Sequence, residues 1–273
     1  MSTTKIEWAE AVWNPVVGCT RVSEGCRNCY AERMAKRLQA MGTRGYDGVV
    51  DKHGRWTGKI NVVESAMTVP LRRKKPTVYF VNSMSDMFHQ DVSNEVVDTV
   101  FAVMGLTPQH RYIVLTKRAA LMRLWTSTRI NRRIMRFDNA VVDPLPNVWV
   151  GFSAENQTQF DLRWRDARHV AALGWQVVCS AEPLLGPIDM AYTCFNGADS
   201  FGSIPLSGVI VGGESGPGAR PMDLDWVRKI RDDCDRAGVP FFLKQICENG
   251  HKVSRLLDGR EHNDLAWRRT PPE

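Results

Sequence analysis

From residue 78 onward the chain alternates short apolar runs with longer stretches of helical periodicity. The runs occupy 78–81, 112–115, 148–152, 176–179, 209–211 and 241–243, and most of their residues are β-branched or aromatic, as in strands. Between them lie 93–105, 119–135, 157–173 and 224–237, long enough for helices and with Ser93 and Asp223 placed as N-caps. Strands that alternate with helices predict a parallel sheet, and nearly continuous apolar strands require cover on both faces. The expected fold is α/β, a partial (β/α) TIM-like barrel of about six to seven parallel strands.

The pattern weakens at both ends and at two insertions. Residues 41–61 hold five glycines and the polar run Asp51-Lys52-His53-Gly54-Arg55, which predicts a loop or short hairpin inserted after the first helix. A long connection is expected over 183–207, where Gly186-Pro187, Asn196-Gly197 and Pro205 interrupt any period. A charged tail from about residue 247 is expected to pack as a lid or to fray. With 273 residues, 43% of them hydrophobic, the chain supports one large core, and 1–273 is expected to form a single domain. There is no apolar run of about 18 residues and no apolar stretch behind basic residues at the N-terminus, so a cytoplasmic protein is expected. Seven cysteines in such a chain point to metal ligands or buried thiols before disulfides.

In folds of this kind the chemistry lies just past the carboxyl ends of the strands. Polar clusters fall at those places: Asn82-Ser83-Met84-Ser85-Asp86, Thr116-Lys117-Arg118, Ser153-Ala154-Glu155-Asn156, Ser180-Ala181-Glu182-Pro183, Gly212-Gly213-Glu214 and Lys244-Gln245. Capping and turning explain serine, asparagine and glycine there, but not carboxylates and lysines. The sharpest local signal is Cys19-x6-Cys26-x2-Cys29, three thiols in one polar loop between the apolar segment 11–17 and a basic helix at 31–38. Zinc would need a remote fourth ligand such as Cys179, Cys247 or a histidine. A [4Fe–4S] cluster held by three cysteines keeps one iron open to chelate the amino and carboxylate groups of S-adenosylmethionine. Three unrelated buried thiols are the remaining reading.

These blocks, together with Trp13-Asn14-Pro15-Val16-Val17-Gly18-Cys19, Glu182-Pro183-Leu184-Leu185-Gly186-Pro187 and Phe242-Leu243-Lys244-Gln245, resemble the three-cysteine-motif phage protein family, known mainly from bacteriophages and bacteria and of unknown function. The wider similarity is to radical S-adenosylmethionine enzymes, which are partial barrels with the cluster loop after the first strand. Their usual spacing is Cys-x3-Cys-x2-Cys with an aromatic residue before the last cysteine, where this chain has the longer interval and Asn28. The resemblance implies a [4Fe–4S] cluster on Cys19, Cys26 and Cys29 and S-adenosylmethionine across the mouth. Its methionine end is expected near Ser83, Ser85 and Asp86, its ribose near Ser153 and Glu155, with Lys117 also on the cofactor. Gly212-Gly213-Glu214 resembles an amino-group-binding element of that superfamily but follows a late strand instead of the second. Glu182 and Lys244 are the candidate catalytic residues. His89, past the Asp86 loop, is read as a proton donor or a structural histidine, and Trp56 as a base-stacking or anchoring ring.

Charge adds a candidate partner. The net charge is +6, and between Arg111 and Arg136 stand eight basic residues (Arg111, Lys117, Arg118, Arg123, Arg129, Arg132, Arg133, Arg136) and no acidic one; Arg72, Arg73, Lys74 and Lys75 form a second cluster. The expected substrate is DNA, RNA or a nucleotide, bound along that helix. The alternative is a non-catalytic iron–sulfur or zinc protein that binds nucleic acid.

Overall fold

The structure is a computed structural model that describes residues 4, 6–131, 144–191 and 206–269, with the backbone alone over 129–131. Its strands are β1 (Ala11–Trp13), β2 (Val16–Val17), β3 (Asn61–Val62), β4 (Val78–Val81), β5 (Arg111–Thr116), β6 (Val148–Ser153), β7 (Gln176–Ala181), β8 (Gly208–Gly212), β9 (Phe241–Glu248) and β10 (His251–Ser254). The helices are α1 (Tyr30–Ala40), α2 (Glu64–Met67), α3 (Asn94–Gly105), α4 (Ala119–Asn131), α5 (Gln157–Ala172) and α6 (Leu224–Ala237). Eight strands form one sheet in the order β1-β4-β5-β6-β7-β8-β9-β10, parallel from β1 to β9, with β10 antiparallel at the edge. All six apolar runs named from the sequence are strands of this sheet.

The alternation of side chains along each strand explains why the runs are nearly all apolar. Tyr112 and Val114, Val148 and Val150, Val177 and Cys179, Val209 and Val211, and Phe241 and Leu243 face the helices in one large core. Their neighbours Ile113, Trp149, Val178, Ile210 and Phe242 make a second core on the other face. That second core is closed by the chain's two ends: Trp8, Leu265 and Trp267 pack into it, and Trp267 Nε1 donates to Trp8 O at 3.0 Å. The tail therefore packs beneath the sheet, where the Arg111 side chain at the start of β5 bonds Trp267 O. Asp223 caps α6 through Asp225 N, as the sequence suggested; Ser93 makes no side-chain cap, whereas Asn156 caps α5 through Gln159 N.

Residues 41–61 fold onto α1 as a small satellite. Tyr46, Val49 and Val50 bury themselves against Ala35 and Val17, with Trp56 and Leu38 beside them. An isolated bridge pairs Val50 with Trp56, and β3 closes the satellite by pairing antiparallel with β2. Among the described residues no helix is long and apolar enough to cross a membrane.

Candidate functional site

Two inward positions near the carboxyl end of the sheet are glycines, and neighbouring atoms crowd both. A Cβ on Gly151 would lie 2.5 Å from Val178 Cγ2, and one on Gly212 would lie 2.7 Å from Glu182 Oε1. Above them opens a cavity of about 680 Å³. Cys19, Cys26 and Cys29 line it together with Ser83, Ser85, Asp86, Lys117, Ser153, Glu182 and Lys244. Burial pushes the Cys19 thiol up to about 12 and raises Cys29 as well, the Glu32 and Ala31 amides at the start of α1 opposing the rise at Cys29.

At the cavity floor Lys244 Nζ lies 2.8 Å from Glu182 Oε1, and Ser180 Oγ donates to Glu182 Oε2 at 3.1 Å. Burial works against the Lys244 ammonium, but the Glu182 carboxylate outweighs it and raises its pKa. Ser85 Oγ is buried on the cavity wall without a hydrogen-bond partner among the described residues. Asp86, by contrast, is fully engaged: it accepts from Thr116 Oγ1 at 2.6 Å, Arg118 Nη1 at 2.9 Å, Phe88 N at 3.0 Å and Lys117 N at 3.1 Å.

The family described as a protein of unknown function, DUF5131, matches residues 3–271. The chain belongs to this family. No curated protein matches it. Solved structures that share the fold of this DUF5131 protein include two of spore photoproduct lyase, one with a tyrosine-to-phenylalanine substitution and one with a cysteine-to-alanine substitution and bound dinucleoside spore photoproduct. Each is 12% identical, over 90% of this chain and 79% of the other, with a TM-score of 0.50. Of the resemblance drawn from the sequence, membership of a family of unknown function is shown, and the likeness of fold to spore photoproduct lyase stands beside it.

Not every expected site residue of the DUF5131 chain reaches the cavity. Glu155 is fully buried away from it: Arg163 Nη1 donates to its Oε2 at 2.8 Å and Gly25 N to its Oε1 at 3.1 Å. Burial alone would raise its carboxyl, but hydrogen bonds from Ser23, Arg163 and Gly25 outweigh that and hold it below the ordinary range. Glu214 is buried too and accepts from Asn28 Nδ2 at 2.9 Å and from the Arg220 guanidinium. His89 shares a hydrogen bond with Thr20 Oγ1 at 2.8 Å through Nε2 and accepts from Asp91 N through Nδ1, the pattern of a structural histidine. Trp56 lines the cavity, and its backbone N–H donates to Glu32 Oε1 at 2.8 Å.

Sequence reasoning missed Arg118 as a site residue because it sits in a run of basic residues. Its guanidinium bridges Asp86 to the cysteine loop, donating to Thr20 Oγ1 at 2.6 Å and approaching Cys19 Sγ at 3.9 Å. Arg123 pairs with Asp166 at 3.1 Å. Arg132, Arg133, Arg136 and the Arg129 side chain lie outside the described residues.

Proposed function

We propose that this chain is a radical S-adenosylmethionine-type iron–sulfur enzyme acting on nucleic acid or a nucleotide, its parallel sheet curved as a partial barrel around the cavity. The observation that carries this reading is the convergence of three loop cysteines with the Glu182–Lys244 pair on one cavity at the carboxyl ends of the strands.

The donor set fits the cluster. A structural zinc ion takes four protein ligands, whereas the loop offers three thiols. A four-iron cluster takes each of three thiolates on a different iron and keeps the fourth iron open, so Cys19, Cys26 and Cys29 would hold it. When bound, the cluster and S-adenosylmethionine supply reductive cleavage to methionine and a 5′-deoxyadenosyl radical.

The chain's own residues then divide the work. Ser85 Oγ, buried and without a partner among the described residues, offers a hydrogen bond to the polar end of the cofactor, beside Ser83 and Lys117. Ser153 faces the same space from the next strand. Asp86 shapes the wall, since its oxygens are already taken. Lys244 keeps its proton at Nζ and, with Glu182, orients a polar group of the substrate. The dinucleoside bound by one of the solved lyase structures supports nucleic acid or a nucleotide as the substrate class.

Anaerobic reconstitution with iron and sulfide, followed by reduction and incubation with S-adenosylmethionine, tests the proposal. We expect iron–sulfur absorption and release of 5′-deoxyadenosine, both lost in Cys26→Ala. Stoichiometric zinc in folded protein with no iron–sulfur absorption overturns the cluster; a loaded protein that neither binds nor cleaves S-adenosylmethionine overturns the enzyme. Glu182→Gln and Lys244→Met separate this reading from a pure nucleic-acid binder, which keeps its affinity, whereas the enzyme loses turnover.

A further inference from the structure

Each cysteine of the loop has a neighbour in sequence that is gripped by a buried or nearly buried charged side chain, and the three gripping residues come from three different strands. Thr20, after Cys19, is held by Arg118. Gly25, before Cys26, donates its N–H to Glu155. Asn28, before Cys29, donates to Glu214. Arg118, Glu155 and Glu214 are each the second residue past the end of their strand, β5, β6 and β8 respectively. Each position is set by where its own strand ends, and the three converge on one loop.

Each grip is itself braced. Arg118 rests on Asp86, Glu155 on Arg163, and Glu214 on Arg220. Arg163 also donates to Ser23 Oγ at 2.9 Å, and Arg220 reaches Glu24 O at 2.9 Å, so the braces touch the loop as well. A Cβ on Gly25 would come within 3.0 Å of the Glu155 carboxyl carbon, which explains why glycine stands beside Cys26. Such a net of charge-assisted bonds holds backbone that forms little regular structure of its own between Gly18 and Cys29.

We infer that Arg118, Glu155 and Glu214 are positioning residues, one for each thiol, and that they preform the cysteine loop before any metal arrives. Glu214 accordingly serves the loop and does not bind a cofactor amino group. The inference concerns the metal-free loop and rests on the proposed cluster only for its purpose.

The test is site-resolved alkylation of reduced, metal-free protein, with each cysteine's rate followed by peptide mass spectrometry and the fold checked by circular dichroism. Glu214→Gln and Asn28→Ala should each speed Cys29 by about tenfold, the scale of one lost charge-assisted bond, and leave Cys19 unchanged. Gly25→Ala, which keeps the buried Glu155–Arg163 pair, should do the same for Cys26 if Glu155→Gln fails to fold. After reconstitution, folded variants should bind less iron per chain, with an altered electron paramagnetic resonance signal. Rates that rise equally at all three cysteines overturn the one-to-one assignment. Unchanged rates in Glu214→Gln, with weakened S-adenosylmethionine binding in equilibrium dialysis, return Glu214 to the cofactor. If the parent protein takes up no iron, the cluster reading fails while the alkylation pattern still decides this inference.

Discussion

Single atoms decide what the cavity and its loop can be. At Gly212 a methyl group would meet Glu182 Oε1 at 2.7 Å, and Glu182 cannot swing away without leaving both Lys244 and Ser180. Gly212→Ala should therefore keep the fold but abolish substrate turnover, as seen by comparing thermal melting with activity; full turnover in the variant would show that the ion pair is dispensable. Glu155 illustrates the cost of a broken buried pair. Removing its carboxylate leaves Arg163, only 4% exposed, without its counter-charge, a loss of about 3–5 kcal/mol. Denaturant unfolding of Glu155→Ala should show a fall in unfolding free energy of that size, against a much smaller one for exposed pairs such as Arg269–Asp264.

At the scale of elements, most of the described basic side chains in the stretch that starts with β5 are tied into the structure. Arg111 is tied to Trp267, Arg118 to Asp86 and the loop, and Arg123 to Asp166; Lys117 and Arg118 both line the cavity, and of the two Arg118 is the one engaged in an ion pair with Asp86. Lys117→Gln should weaken nucleic-acid binding and flatten its salt dependence by about one unit of log–log slope, while Arg118→Gln should reduce iron content first. Filter binding between low and moderate salt, paired with metal analysis, checks both. The strands were legible because both faces of the sheet are covered, so each run reads as apolar along its whole length. Less so were β10 and the packing of Trp267, whose surrounding sequence is mixed and polar and whose partners, Trp8 and Trp149, are remote. Cys19, Cys26, Cys29, Glu182 and Lys244 were placed from the sequence where the cavity has them. Glu155 was not, because a carboxylate just past a strand looks the same whether it turns to the mouth or to a neighbouring loop.

The molecule as a whole should be acid-labile, in two stages. Burial lowers His89, His169 and His262 below the ordinary value near 6.5, so they contribute stability above that pH. As pH falls through the window beneath it, the unfolded chain takes up protons that the folded one refuses, and stability declines. Glu155 and Glu214, held below the ordinary carboxylate range by their partners, add a second decline at lower pH as they are protonated. Melting temperature should drop between pH 7 and 5, less steeply in His89→Gln, and again below pH 4.5; a flat profile from 7 to 5 would remove the histidines from the account. The bracket on the cysteine loop also sets an order of events during synthesis. The loop leaves the ribosome ahead of its partners, which lie 98, 130 and 186 residues further along. Until β8 and Glu214 have emerged, Cys29 lacks its grip, so the thiols are set well after they are made. The nascent chain carries them unbraced over that interval, and any metal at the loop is expected only once the sheet stands.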